Sequence, residues 1–137
     1  MIDLHSHILP QMDDGSRSVD ESLRMLAALA AQSVTEVAAT PHFYALENSP
    51  ERFLARRRHA WQQLAPRLTA SLPAVYLGAE VLYFEGIAGY EQLTQLCLTG
   101  TDTLLLEMPF HPWSRRMHDE LRELGARRGV TVLLAPM

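Results

Sequence analysis

The chain has 137 residues, 47% of them hydrophobic and 20% charged, the balance of an ordinary globular domain long enough to bury a core. Its formal charge of −4 argues against a nucleic-acid-binding protein. No apolar run reaches bilayer-crossing length, and Met1-Ile2-Asp3 does not open a signal peptide. All twelve basic residues are arginine, which removes Walker-type phosphate loops and Schiff-base chemistry, since both need lysine.

Residues 2–8 read as a first strand, on which His5 and His7, two apart, share one face. The loop Asp13-Asp14-Gly15 follows. Ser18-Val19-Asp20-Glu21 then forms a capping box, with Ser18 and Glu21 satisfying backbone N–H groups reciprocally, and opens a helix over 20–32. A second strand over 35–40 runs into Ala39-Thr40-Pro41-His42. Ser49-Pro50-Glu51, a cap followed by proline at the first helical position, opens a helix over 50–64 that Pro66 ends or kinks. Glu80 falls in a third strand over 74–82. A helix over 90–98 buries the lone cysteine, Cys97, and Gly100 supplies the left-handed residue behind it. The fourth strand, 103–108, closes on Glu107 after three leucines. A helix over 114–128, stopped by Gly129, leads to a fifth strand over 130–135.

Strands alternating with helices indicate parallel βα units, and near-continuous apolar strands indicate a sheet buried on both faces. A closed (β/α) barrel usually takes about 250 residues. Four βα units and a fifth strand therefore read as a barrel cut short after that strand, in one domain over 1–137. A single cysteine excludes an internal disulfide and makes a cytoplasmic setting the expectation. Cys97 also lacks the arginine six residues on that a cysteine-phosphatase loop needs, because Thr103 stands there.

The residues with metal-ligand chemistry gather at strand ends: His5, His7, Asp14, His42, Glu80 and Glu107. In parallel α/β folds that rim is where active sites assemble. A carboxylate ending an apolar strand, as Glu107 does, needs a cation or a hydrogen-bond network nearby. Three imidazoles and three carboxylates without thiolate suit Mn2+, Fe or Zn2+. They exceed the needs of one ion, which suggests a multinuclear centre. His59 and His118 read as solvated helix residues. His111, in Pro109-Phe110-His111-Pro112, and Arg115 beyond it are candidates for contact with substrate, with Arg116 beside them.

Asp3-Leu4-His5-Ser6-His7-Ile8-Leu9-Pro10, followed by Asp13-Asp14-Gly15, resembles the opening of the PHP (polymerase and histidinol phosphatase) superfamily. It is closest to the bacterial tyrosine-phosphatase branch that controls capsule and exopolysaccharide synthesis. Ser22-Leu23-Arg24-Met25-Leu26, Ala39-Thr40-Pro41-His42, Gly78-Ala79-Glu80-Val81 and Leu106-Glu107-Met108-Pro109-Phe110 fit that branch in order and spacing.

The resemblance implies a distorted (β/α) barrel around a trinuclear, usually manganese, centre. By it, His5 and His7 hold one metal, Glu80 bridges to a second, and Asp14, His42 and Glu107 serve the third position. The implied reaction is hydrolysis of a phosphomonoester, typically phosphotyrosine on a protein such as a capsule-assembly tyrosine kinase, with no nucleic acid and no membrane insertion. Family members continue the fifth strand as Ala-His-Pro-Glu-Arg, whereas this one reads Ala135-Pro136-Met137. The alternative expectation is therefore a catalytically incomplete remnant that binds metal without turnover, its open strand edges favouring a homo-oligomer.

Overall fold

The structure, a computed structural model, describes residues 1–136; Met137, the last residue of the divergent ending, lies outside the described residues. Its strands are β1 (Ile2–Asp3), β2 (Glu36–Ala39), β3 (His42–Phe43), β4 (Ala74–Leu77), β5 (Glu80–Leu82), β6 (Thr103–Glu107) and β7 (Thr131–Leu134). The α-helices are α1 (Val19–Ala31), α2 (Pro50–Leu64) and α3 (Arg115–Ala126). Every strand pairing is parallel, in the orders β1-β2-β4 and β3-β5-β6-β7. Among the described residues no helix is long and apolar enough to cross a membrane.

The two sheets follow one path with a bend in it. β2 and β3 flank Thr40-Pro41, and β4 and β5 flank Gly78-Ala79. Pro41 has no N–H to give to a ladder, so regular pairing breaks there. Gly78 N–H to Ala39 O (2.8 Å) and Glu80 N–H to Pro41 O (2.9 Å) carry the pairing across the break. The expected second strand forms as β2, with β3 beyond its expected end, and the expected third strand forms split in two by this bend. The first strand is regular only over Ile2–Asp3, although Thr40 N–H still reaches Ser6 O at 2.8 Å.

Local signals act as their chemistry dictates, with two corrections. Ser49 accepts from Arg52 N–H (3.1 Å) ahead of Pro50, and Pro66 sits in a 3-10 turn (Ala65–Arg67) that ends the helix. Gly100 and Gly129 take φ of 81° and 63°. Ser18 caps α1 by accepting from Glu21 N–H, but the box is half made: the Glu21 carboxylate turns to Arg17 Nε at 3.4 Å instead. The expected α-helix over 90–98 is a 3-10 helix, Glu91–Leu96. Its two buried anchors, Leu93 and Leu96, are three residues apart and eclipse in a three-residue turn. Cys97 is buried just after it.

The core packs strand residues Val37, Ala39, Phe43, Val81, Leu104 and Leu106 against Leu26, Phe53, Leu64 and Leu124 of the helices. Full burial of each Val, Leu or Phe side chain among them stabilises by about 1.5–3 kcal/mol. The inward face of α2 repeats at Phe53, Arg57, Ala60 and Leu64. The Arg57 guanidinium lies over the Phe53 ring and donates to Gly78 O at 2.7 Å, holding the bend just before Glu80. The bend and the register do the rest: His42 stands beside Glu80 on neighbouring strands, and Glu107 closes β6 opposite Leu82.

Candidate metal centre

The His5-Ser6-His7 arm is aimed by its middle residue. Ser6 Oγ donates to Ala38 O (2.7 Å), and its N–H donates to Thr40 Oγ1 (3.1 Å). With Ser6 turned to the sheet, His5 and His7 face away together, their Nε2 atoms 3.3 Å apart. Asp3 Oδ1 accepts the His5 N–H at 3.1 Å. Behind the arm, Ser22 of α1 donates its hydroxyl to Ile8 O and anchors the loop. Gly15 is pressed onto His7: a Cβ there would lie 2.3 Å from His7 O, so the Asp-Asp-Gly loop closes only with glycine.

Glu80, 3% exposed, is the hub. Its Oε1 lies 2.9 Å from His5 Nε2, 3.0 Å from His7 Nε2 and 3.5 Å from His42 Nδ1. His42 Nδ1 is also 3.9 Å from Glu107 Oε1. Asp13 Oδ2 sits 2.9 Å from His7 Nδ1 and accepts the His42 N–H at 3.1 Å; its Oδ1 accepts Gly15 N–H at 3.0 Å. The rings of His7, His42 and Tyr44 stack in sequence, with centroids 4.6 and 5.3 Å apart. Among the described residues, three groups have ligand atoms mutually within 4.8 Å: His5, His7 and Glu80; His7, Asp13 and His42; His42, Glu80 and Glu107.

The electrostatics follow from this crowding. Burial pushes the Asp13 carboxyl up, but hydrogen bonds from His7, Gly15 and His42, with the His7 charge, outweigh it and leave it at about 2. The Asp13 hydrogen bond raises His7 above 6.5; burial opposes this, and the charges of Asp13, Glu80 and Asp14 add to it. Burial, then the carboxylates of Glu107, Glu80, Asp14 and Asp13, raises the Tyr44 phenol.

The donor set fits a cation. His42 Nδ1 is buried and has no hydrogen-bond partner among the described residues, while a buried carboxylate oxygen and two more imidazole nitrogens converge beside it. An orphaned nitrogen in such company is costly unless something electron-poor occupies the gap. The set is imidazole and carboxylate with no thiolate, which Mn2+, Fe and Zn2+ all accept.

The structure thus brings His5, His7, His42, Glu80 and Glu107 together. Asp14 stands apart, its side chain 89% exposed and 4.0 Å from His42 Nε2. Asp13, one residue earlier, occupies the inner place; two adjacent acids in a loop carry no spacing that separates them. His111 is exposed, with Nδ1 2.9 Å from Pro112 O, and belongs to none of the three groups. Arg115 is exposed, and Arg116 is engaged with Glu120 at 3.1 Å. His59 and His118 are exposed, as expected of helix-surface residues. Ser6, Thr40, Tyr44 and Arg57 serve the site without having a ligand's chemistry, so only their contacts identify them. Beside the centre opens a cavity of about 610 Å3 lined by Asp13, Asp14, His42, Tyr44, Arg52 and Arg56 among others.

Residues 1–136 match the family described as "Capsular polysaccharide synthesis, CpsB/CapC". The chain is 33% identical to tyrosine-protein phosphatase YwqE of Bacillus subtilis (strain 168), over 99% of this chain and 54% of that protein. It is 29% identical to tyrosine-protein phosphatase CpsB of Streptococcus pneumoniae, over 98% of this chain and 56% of that protein. It also resembles a chain from the crystal structures of YwqE and CpsB, described as unique metal-dependent tyrosine phosphatases. There the TM-score is 0.78 and the identity 29%, over 98% of this chain and 54% of that one. The chain spans about half the length of the curated relatives it matches.

Proposed function

This chain belongs to the CpsB/CapC capsular polysaccharide synthesis family, and on that premise we propose that it carries the metal-binding part of a tyrosine-protein phosphatase. The reaction is hydrolysis of phosphotyrosine on a protein that takes part in capsule or exopolysaccharide synthesis, a capsule-assembly tyrosine kinase being the expected partner. The setting is cytoplasmic, and residues 1–137 act as one PHP-like domain. The observation that carries this reading is Glu80 Oε1, buried and reached by three imidazoles, one of them through the orphaned His42 Nδ1.

The residues divide the work. His5, His7 and Glu80 would hold one ion; His42, Glu107 and Glu80 would hold a second. Asp14, at the mouth beside His42, would serve a further position. Asp13 accepts from His7 Nδ1 and so keeps Nε2 turned toward Glu80, the orienting role that a carboxylate plays behind a ligating histidine. When bound, divalent ions, Mn2+ in this reading, acidify water and neutralise phosphoryl charge. The chain's own carboxylates, crowded as they are, oppose a phosphate monoanion or dianion until that charge is balanced. His111 and Arg115 have no part in this arrangement.

The test is metal counting on the purified chain, with hydrolysis of an aryl phosphate and a phosphotyrosine peptide measured in Mn2+, Fe2+ and Zn2+. More than one ion per chain is expected, with metal-dependent turnover that His42→Ala removes while circular dichroism stays unchanged. Failure to retain metal, or no turnover with any of the three, sinks the reading.

A further inference from the structure

We propose that Arg52 and Arg56 of α2, with Tyr44, form a recognition wall for anionic groups that flank the phosphotyrosine of the substrate. This deepens the phosphatase reading above and rests on it. The two arginines are four residues apart, so they lie on one face of the helix, and both line the cavity that also contains His42 and Asp13. At about 610 Å3 that cavity holds more than a phosphoryl group. A peptide whose phosphate sits at the His42 end has its neighbouring residues within the same chamber as the arginines. Tyr44, stacked on the His42 ring, gives the chamber an aromatic wall.

The guanidinium groups are available. The arginine ion pairs among the described residues are those of Arg17, Arg67, Arg116 and Arg122. Arg52 and Arg56 form none, although Glu47 and Asp14 line the same cavity. Arg56 donates one Nη2 hydrogen bond to Met12 O (3.0 Å), which fixes its position over the chamber and leaves Nε and Nη1 free. The next residue, Arg57, is buried on Gly78 O and is structural; Arg58 lines a different pocket. One helix thus sorts successive arginines into different tasks. The planar fork of a free guanidinium matches a carboxylate or a phosphate, so the ligand chemistry is an acidic side chain or a second phosphotyrosine close to the first.

The test is fluorescence anisotropy on the Mn2+-loaded chain, using peptides in which a non-hydrolysable phosphonomethyl-phenylalanine replaces phosphotyrosine. Three flanks are compared: neutral, glutamate, and a second phosphonate residue. The wild type is expected to bind the charged peptides about tenfold more tightly than the neutral one. Arg52→Gln and Arg56→Gln should each remove about threefold to fivefold of that preference. Affinity for the neutral peptide and metal content should not change, and Arg58→Gln should have no effect. Arg52→Gln removes no side-chain bond of the fold and serves if Arg56→Gln perturbs it. A gain confined to glutamate assigns carboxylates; a gain confined to the second phosphonate assigns a second phosphotyrosine. Equal affinity for neutral and charged peptides, or a preference that survives the double variant, overturns this inference alone. If the wild type binds no peptide at all, the phosphatase reading falls with it.

Discussion

Two buried carboxylates, Glu80 and Glu120, are 3% and 7% exposed, and their surroundings are opposite. Glu120 of α3 is saturated with donors: Gly86 N–H (3.0 Å), Ala88 N–H (3.1 Å), Arg116 Nε (3.1 Å) and Tyr83 O–H (3.2 Å). Burial pushes its carboxyl up, but those four hydrogen bonds together outweigh burial and hold it below 4.5. Glu80 meets only imidazoles, three of them crowding one oxygen, and the third approaches through His42 Nδ1, which has no hydrogen-bond partner among the described residues. A buried charge survives when hydrogen bonds or a counter-ion compensate it. Glu120 brings its own compensation and welds α3 to the loop after β5. Glu80 has imidazoles where Glu120 has those four donors, the difference expected between a carboxylate that builds the fold and one that, on the proposed reading, would serve a ligand.

Exchange of each carboxylate for its amide tests that contrast most strongly. Glu80→Gln should lower Mn2+ affinity beyond the about 10- to 100-fold that changes behind the ligands cost, because it removes the shared ligand itself. Isothermal titration calorimetry measures this; an affinity within about threefold of wild type would make Glu80 another Glu120. Metal itself gives the next effect. At about 100 times its dissociation constant, Mn2+ should stabilise the wild type by about 2.7 kcal/mol, read as a shift in denaturation midpoint. Glu80→Gln should lose that gain and Glu120→Gln should keep it. Glu120→Gln should instead destabilise the metal-free chain by about 1–3 kcal/mol, since the Gly86 and Ala88 N–H groups then face an amide that matches only some of them. Unchanged stability would remove the structural role.

The contrast also marks how far the sequence could be read. Cap residues predicted α1, α2 and α3 closely, because those signals act within a few residues, whereas the segment over 90–98, which has no side-chain cap, forms a 3-10 helix. The His-x-His arm and the strand-end residues His42, Glu80 and Glu107 were legible as a set because ligand chemistry at a parallel rim is rare by chance. Three things were not. Arg57 looks like its neighbours in a run of three arginines, and only the Gly78 carbonyl across the fold makes it a buried pin. Glu120, directly after Asp119 in a helix rich in charged residues, reads as solvated helix surface, since its donors come from the 83–88 segment and from Arg116. Asp13 and Asp14 differ only in which one turns inward. In each case the deciding partner is distant in sequence or a matter of loop geometry, neither of which periodicity reports.

Titration gives the smallest effect and separates the two regions by sign. Glu120 is held below 4.5, so its contribution to stability is fully present above that value and is lost as pH falls through the depressed one. The wild-type advantage over Glu120→Gln should therefore be flat from neutral pH down to 4.5 and shrink only below it. His7 is raised above 6.5, so in the metal-free chain its contribution is fully present below 6.5 and is lost as pH rises through the raised value. With Mn2+ the slope should reverse, because a ligating imidazole must be neutral and protons compete with the ion. Acidification from about pH 8 to about pH 6 should then strip the metal-dependent gain while leaving the Glu120 term intact. Denaturation midpoints with Mn2+ and with chelator, measured across that range, supply the comparison. Parallel pH curves in the two conditions would mean that His7 does not share its nitrogen with a metal, and the centre around Glu80 would lose one of its three imidazoles.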